Sequence, residues 1–109
     1  MKDGNFINLR GLNCSAHIEK DFINWYDNIH APMLLKSGLI RRIRRFRKVS
    51  EVQNAPSLLM IYEFKGQEQF AKYEECPELE TAKQDTKQRW RNKEFESVWR
   101  IQYIQQKFW

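Results

Sequence analysis

The sequence predicts one α+β domain with the element order β-α-β-β-α-β. Three observations point there. The length of 109 residues suits a single domain, 1–109, and leaves little room for a second. One stretch carries apolar residues at helical spacing, and several others carry them in short, alternating runs. With 41% hydrophobic and 14% aromatic residues the chain can fill one core, which argues against disorder.

The elements follow in order. Residues 5–13 partly alternate between apolar and polar and read as a first strand. Ser15 is a plausible helix N-cap, with Glu19 and Asp21 placed for the positive end of the helix dipole. A helix over 16–31 follows from the stripe Ile18, Phe22, Trp25 and Ile29. Pro32 has no amide N–H and is expected to disrupt that helix. Met33, Leu34 and Leu35 extend its apolar surface by a short turn, and Gly38 is a natural stop.

Residues 39–50 fit either a helical stripe of Leu39, Ile43, Phe46 and Val49 or a strand with arginine on both faces. The strand is preferred, because Gly38 ends the preceding helix and β-branched and aromatic residues punctuate the run. Asn54-Ala55-Pro56 reads as a turn, and 57–64 as a buried strand. After Gly66, a helix over 67–75 places Phe70 and Tyr73 inward, and Cys76-Pro77 interrupts it. A very polar helix over 78–91 leans on Leu79, Ala82 and Trp90. Residues 97–109 alternate and predict a long strand with Trp99, Ile101 and Tyr103 on one face. The resulting pattern is ferredoxin-like: a four-stranded antiparallel sheet with helices on one face.

Several classes are excluded or disfavoured. No apolar run approaches the roughly 20 residues that span a bilayer, so no membrane association is expected. Met1-Lys2-Asp3-Gly4-Asn5 leads into no apolar leader, and the expected address is cytoplasmic. Cys14 and Cys76 are far apart and read as ordinary thiols. His17 and His30 have no clustered carboxylates at ligand spacing, so no metal site is expected; nothing in the sequence requires a cofactor, and none is expected, with haem ligation by His30 left open.

Two stretches carry a resemblance. Phe22-Ile23-Asn24-Trp25-Tyr26-Asp27-Asn28-Ile29-His30-Ala31-Pro32, followed by Gly38-Leu39, resembles a signature of small dimeric α/β-barrel proteins. The ethyl tert-butyl ether degradation (EthD) family and a related uncharacterised bacterial family both carry versions of it. The polar helix between Tyr73 and Trp90, leading into the last strand, is similar to that second family. The resemblance implies a ferredoxin-like protomer whose sheet pairs with a second copy to form a dimeric α/β barrel with a cleft in each subunit. The superfamily hosts several chemistries, so fold carries over and reaction does not. The arginine-rich second strand departs from the family pattern.

The residues support a homodimer independently. A sheet with helices on one face leaves the other bare, and this chain has no third layer to cover it.

His30 is the candidate catalytic centre, with Asp27 and Tyr26 at neighbouring helix positions. A carboxylate beside an imidazole prepares it for acid–base work; the competing role is a structural one at the helix end. His17 reads as a surface residue. Trp25, Tyr26, Tyr62, Trp99 and Tyr103 are candidates for an aromatic ligand pocket, against ordinary core and dimer packing.

Lys36, Arg41, Arg42, Arg44, Arg45, Arg47 and Lys48 form an acid-free basic run, while the rest of the chain has 12 basic and 14 acidic residues. Three roles stay open for it: a charged edge strand, an anion grip through Arg41, Arg42 and Arg44, and contact with an acidic partner or nucleic acid. Nucleic acid is disfavoured, since no recognition motif accompanies the run. The expected function is binding of a small organic molecule in a cleft of each subunit, with its anionic character and its transformation left open. The alternative is a non-enzymatic interaction protein that docks through residues 41–48.

Overall fold

In the computed structural model, which describes residues 5–91 and 95–109, the strands are β1 (Phe6–Cys14), β2 (Ile40–Arg47), β3 (Leu58–Phe64) and β4 (Phe95–Ile104). The helices are α1 (Glu19–Trp25), α2 (Ala31–Leu35), α3 (Gln67–Glu74) and α4 (Pro77–Arg89). The four strands pair antiparallel in the order β2-β3-β1-β4. This is the α+β, ferredoxin-like arrangement expected. Residues 1–4, where no leader was expected, lie outside the described residues.

Strand alternation sorts the side chains into two faces. Phe6, Asn8, Arg10 and Leu12 of β1 share a face with Leu58, Met60, Tyr62 and Phe64 of β3, as the pairs Phe6–Phe64, Asn8–Tyr62 and Arg10–Met60 show. This face meets the helices and holds the core, in which Met60 and Phe64 are fully buried. Phe6, Phe64, Phe70 and Tyr73 pack ring against ring at one end, and Phe22, Trp25, Trp90 and Phe95 at the other.

The opposite face carries Ile7, Leu9 and Gly11 of β1, Leu59, Ile61 and Glu63 of β3, Arg42, Arg44 and Phe46 of β2, and Trp99, Ile101 and Tyr103 of β4. No helix covers it. Phe46 and Tyr103 are 45% and 52% exposed there. Gly11 is required on this face, because a Cβ would sit 2.6 Å from Pro56 Cγ and 2.9 Å from the Trp99 ring.

The first helix departs from expectation in a way that shapes the site. A short 3-10 turn (Ala16–Ile18) leads into α1, and a π turn (Tyr26–His30) joins α1 to α2. The Ala31 N–H reaches the Tyr26 carbonyl, five residues back. In an α-helix, residues five apart sit about 140° apart around the axis; the wider π turn returns them toward one side. Ile29, expected on the apolar stripe, is therefore 45% exposed, and His30 is buried in its place. Pro32 does not end the helix, which runs on to Leu35. It falls directly after the π turn, where the i→i−4 ladder is already interrupted. Gly38, at φ +74°, makes the stop.

The second expected helix is split as Cys76-Pro77 implied: α3 ends before it and Pro77 opens α4. The last strand stops at Ile104, short of the end expected for it. No described helix is long and apolar enough to cross a membrane.

Candidate functional site

A cavity of about 570 Å³ lies between the helix side of the sheet and the helices, within the size range of small-molecule sites. Its floor is Asn8 and Arg10 from β1, Tyr62 from β3 and Arg100 from β4. Antiparallel register sets this floor, since Asn8 lies opposite Tyr62 and Gln102, and Arg10 opposite Arg100. The walls are His30, Leu34, Tyr73, Glu74, Leu79, Glu80, Lys83, Gln84, Thr86 and Lys87.

Most of the polar groups are tied down. The Tyr26 and Tyr62 hydroxyls hydrogen-bond to each other behind the floor. Gln102 Nε2 donates to Asn8 Oδ1 at 2.9 Å. Trp25 Nε1 donates to Asp85 Oδ2 at 2.9 Å, and the Trp25 ring lies 4.7 Å from the His30 ring. Thr86 Oγ1 meets His30 Nδ1 at 3.4 Å and donates to the Ala82 carbonyl at 2.8 Å. Arg100 pairs with Glu74 at 3.1 Å.

Arg10 is not. Its Nε is buried with no hydrogen-bond partner among the described residues, and none of their carboxylates pairs with it. An unsatisfied buried donor on a charged group costs about 1–3 kcal/mol or more. An acceptor supplied from the cavity would relieve that cost.

The same guanidinium shapes its neighbours. Burial, reinforced by Arg10, lowers the His30 pKa to about 4, against a smaller upward pull from Asp85. His30 is therefore neutral at physiological pH. Burial and the neighbouring Tyr62 push the Tyr26 and Tyr73 hydroxyls upward, so both stay protonated.

Of the residues singled out from sequence, His30 and Tyr62 line the cavity, and Trp25 and Tyr26 pack directly behind them. The structure does not bring the others there. Asp27 turns to solvent and pairs with Arg45 at 2.7 Å instead of with His30, because the π turn places the two on different sides of the helix. Trp99 and Tyr103 pair with Gly11 and Ile7, which puts them on the uncovered face. The five aromatics thus divide between two sides of the sheet. Arg42 and Arg44 lie on that uncovered face and pair with Glu63 at 3.0 and 3.6 Å. Arg41 sits at a β2 irregularity and donates to Asn5 Oδ1 at 2.7 Å.

Sequence reasoning missed Asn8, Arg10, Tyr73, Thr86 and Arg100. The available signal was Asn8 and Arg10 themselves, two polar residues alternating between Phe6 and Leu12 on one strand face. Among the described residues no group of three His, Cys, Asp or Glu side chains gathers as a metal site.

No curated protein sequence matches this chain. Solved structures do, at identities that speak for fold alone. HapK from Hahella chejuensis is 11% identical with a TM-score of 0.71, over 93% of this chain and 92% of its own. An EthD family protein from Bacillus halodurans is 16% identical with a TM-score of 0.64, over 94% of this chain and 99% of its own. A dimeric ferredoxin-like protein of unknown function from Thermobifida fusca is 7% identical with a TM-score of 0.61, over 95% of this chain and 92% of its own. The strand order and the helix-side cavity thus sit in a fold shared with EthD-type proteins, and residues 11–103 match the DUF4286 family, a domain of unknown function, to which this chain belongs.

Proposed function

We propose that the protein binds a small anionic organic molecule in the cavity of each subunit of a homodimer. The guanidinium of Arg10, unpaired among the described residues, carries this reading. An anionic oxygen at Nε would satisfy the buried donor and the charge together, through the short, strong bonds guanidinium makes with carboxylates. Lys83 and Lys87 line the same cavity and, with Arg10, outnumber its one acid without a cationic partner among the described residues, Glu80, since Glu74 is already engaged by Arg100. Tyr62, Tyr73 and Leu34 supply apolar and aromatic wall. His30, neutral and buried, is the group best placed for proton transfer should the ligand be transformed.

Docking through the basic strand finds less support. Arg42, Arg44 and Arg45 are each engaged by Glu63 or Asp27, so three of the seven basic residues of the run already have an acidic partner. The dimer is supported by the uncovered, largely apolar sheet face and by the dimeric relative from Thermobifida fusca. A cytoplasmic location fits the two unpaired thiols, Cys14 and Cys76.

Calorimetry with benzoate and its neutral counterpart benzamide tests the anion reading. Benzoate is expected to bind, benzamide to bind far more weakly, and Arg10→Met to lose roughly 10- to 100-fold in benzoate affinity. Equal binding of the two compounds, or benzoate affinity indifferent to Arg10, would overturn it.

A further inference from the structure

On the reading of the cavity as an anion site, Arg10 fixes one group of the ligand, and His30 fixes what a second group must be. Thr86 has a single hydroxyl hydrogen. That hydrogen is committed to the Ala82 carbonyl at 2.8 Å, one turn back on α4. At its 3.4 Å contact with His30 Nδ1, the Thr86 oxygen can therefore only accept. The hydrogen of that contact must sit on Nδ1.

Burial holds the ring neutral. A neutral imidazole protonated at Nδ1 has a bare lone pair at Nε2. His30 lines the cavity, and the hydrogen-bond contact its ring makes among the described residues is the one from Nδ1 to Thr86. The ring cannot readily turn to change this, since Trp25 and Tyr26 pack against it at 4.7 and 4.9 Å between centroids.

We propose that Thr86 sets the tautomer of His30, and that the cavity therefore selects anionic molecules bearing a second, hydrogen-donating O–H or N–H group over simple acids. Thr86 is a positioning residue; His30 Nε2 is the atom that meets the ligand. An ether or carbonyl oxygen in the same place would set lone pair against lone pair, so the site rejects acceptors as well as welcoming donors.

Two measurements on the full chain test this. The first is a two-bond proton–nitrogen spectrum of the histidines at neutral pH. It should show His30 protonated at Nδ1 and bare at Nε2. The opposite tautomer overturns the proposal, whether or not any variant folds. The second is calorimetry with benzoate, 3-hydroxybenzoate, 4-hydroxybenzoate and 4-methoxybenzoate. At least one hydroxybenzoate should bind roughly three- to tenfold tighter than benzoate, the gain of one hydrogen bond, and 4-methoxybenzoate should show no such gain. Thr86→Val should erase the preference and Thr86→Ser restore it. Hydroxybenzoates that bind no tighter than 4-methoxybenzoate overturn the proposal while leaving the anion site standing. Benzoate binding that ignores Arg10 removes the anion site, and with it the ligand class, while the spectrum still judges Thr86.

Discussion

The indole of Trp25 donates to the carboxylate of Asp85 across 2.9 Å, tying the first helix to α4 beside the cavity. Trp25→Phe keeps most of the ring packing and removes the donor. It should cost about 1–2 kcal/mol, read as a lowered urea midpoint with an unchanged slope. Asp85→Asn should be milder, because an amide oxygen still accepts. It also removes the one acid that supports a charge on His30, so the His30 pKa should drop further below about 4.

His30 gives stability a defined pH dependence. Its pKa is lowered from 6.5 to about 4 on folding. Between those values the unfolded chain binds a proton that the native protein refuses. Stability should therefore be complete above pH 6.5 and fall as pH drops toward 4. Full loss amounts to roughly 3 kcal/mol for this group. Urea unfolding of wild type and His30→Asn across that interval isolates the contribution: the difference between them should change with pH in this window and stay flat above it.

Arg10 should trade stability for binding. Replacing it with Met removes an unsatisfied buried donor and keeps apolar volume in the floor. Arg10→Met should stabilise the ligand-free protein by about 1 kcal/mol, seen as a higher melting temperature, while benzoate affinity is lost. A destabilised variant would mean that the guanidinium already has what it needs in the folded protein.

Leu9 tests the dimer. On the uncovered face it lies between Ile61 and Ile101, and the three form an apolar row across the sheet. Leu9→Lys leaves the helix-side core untouched. Sedimentation should show a folded monomer where the wild type sediments as a dimer. A wild-type monomer would remove the homodimer reading.

The fold was legible because its signals are local. Ile18, Phe22 and Trp25 mark a helix face, Gly38 a stop, and Cys76-Pro77 a break, and each acts through the backbone at its own position. The site was less legible because its determinants are relational. Both faces of β1 contain large apolar residues, so nothing local told which would carry Asn8 and Arg10 inward; register against β3 decided it. The exchange of Ile29 for His30 follows from a single backbone hydrogen bond that no residue type announces. Counting charges along the basic run could not show that Glu63 on the neighbouring strand and Asp27 on the helix engage three of its arginines.

The π turn also bears on how this chain can change length. Deleting one residue from a regular helix rotates everything beyond it by about 100°, which ordinarily destroys the register between a helix and its sheet. Between Tyr26 and Ala31 the backbone holds one residue more than an α-helical turn would. Removing an outward-facing residue there, such as Asn28, would close an ordinary turn and leave Trp25 and His30 four apart, still on one side of the helix. The same deletion a turn earlier, at Ile23, would swing His30 away from the cavity. The helix thus contains one place where a shorter descendant could arise in a single step with its cavity intact.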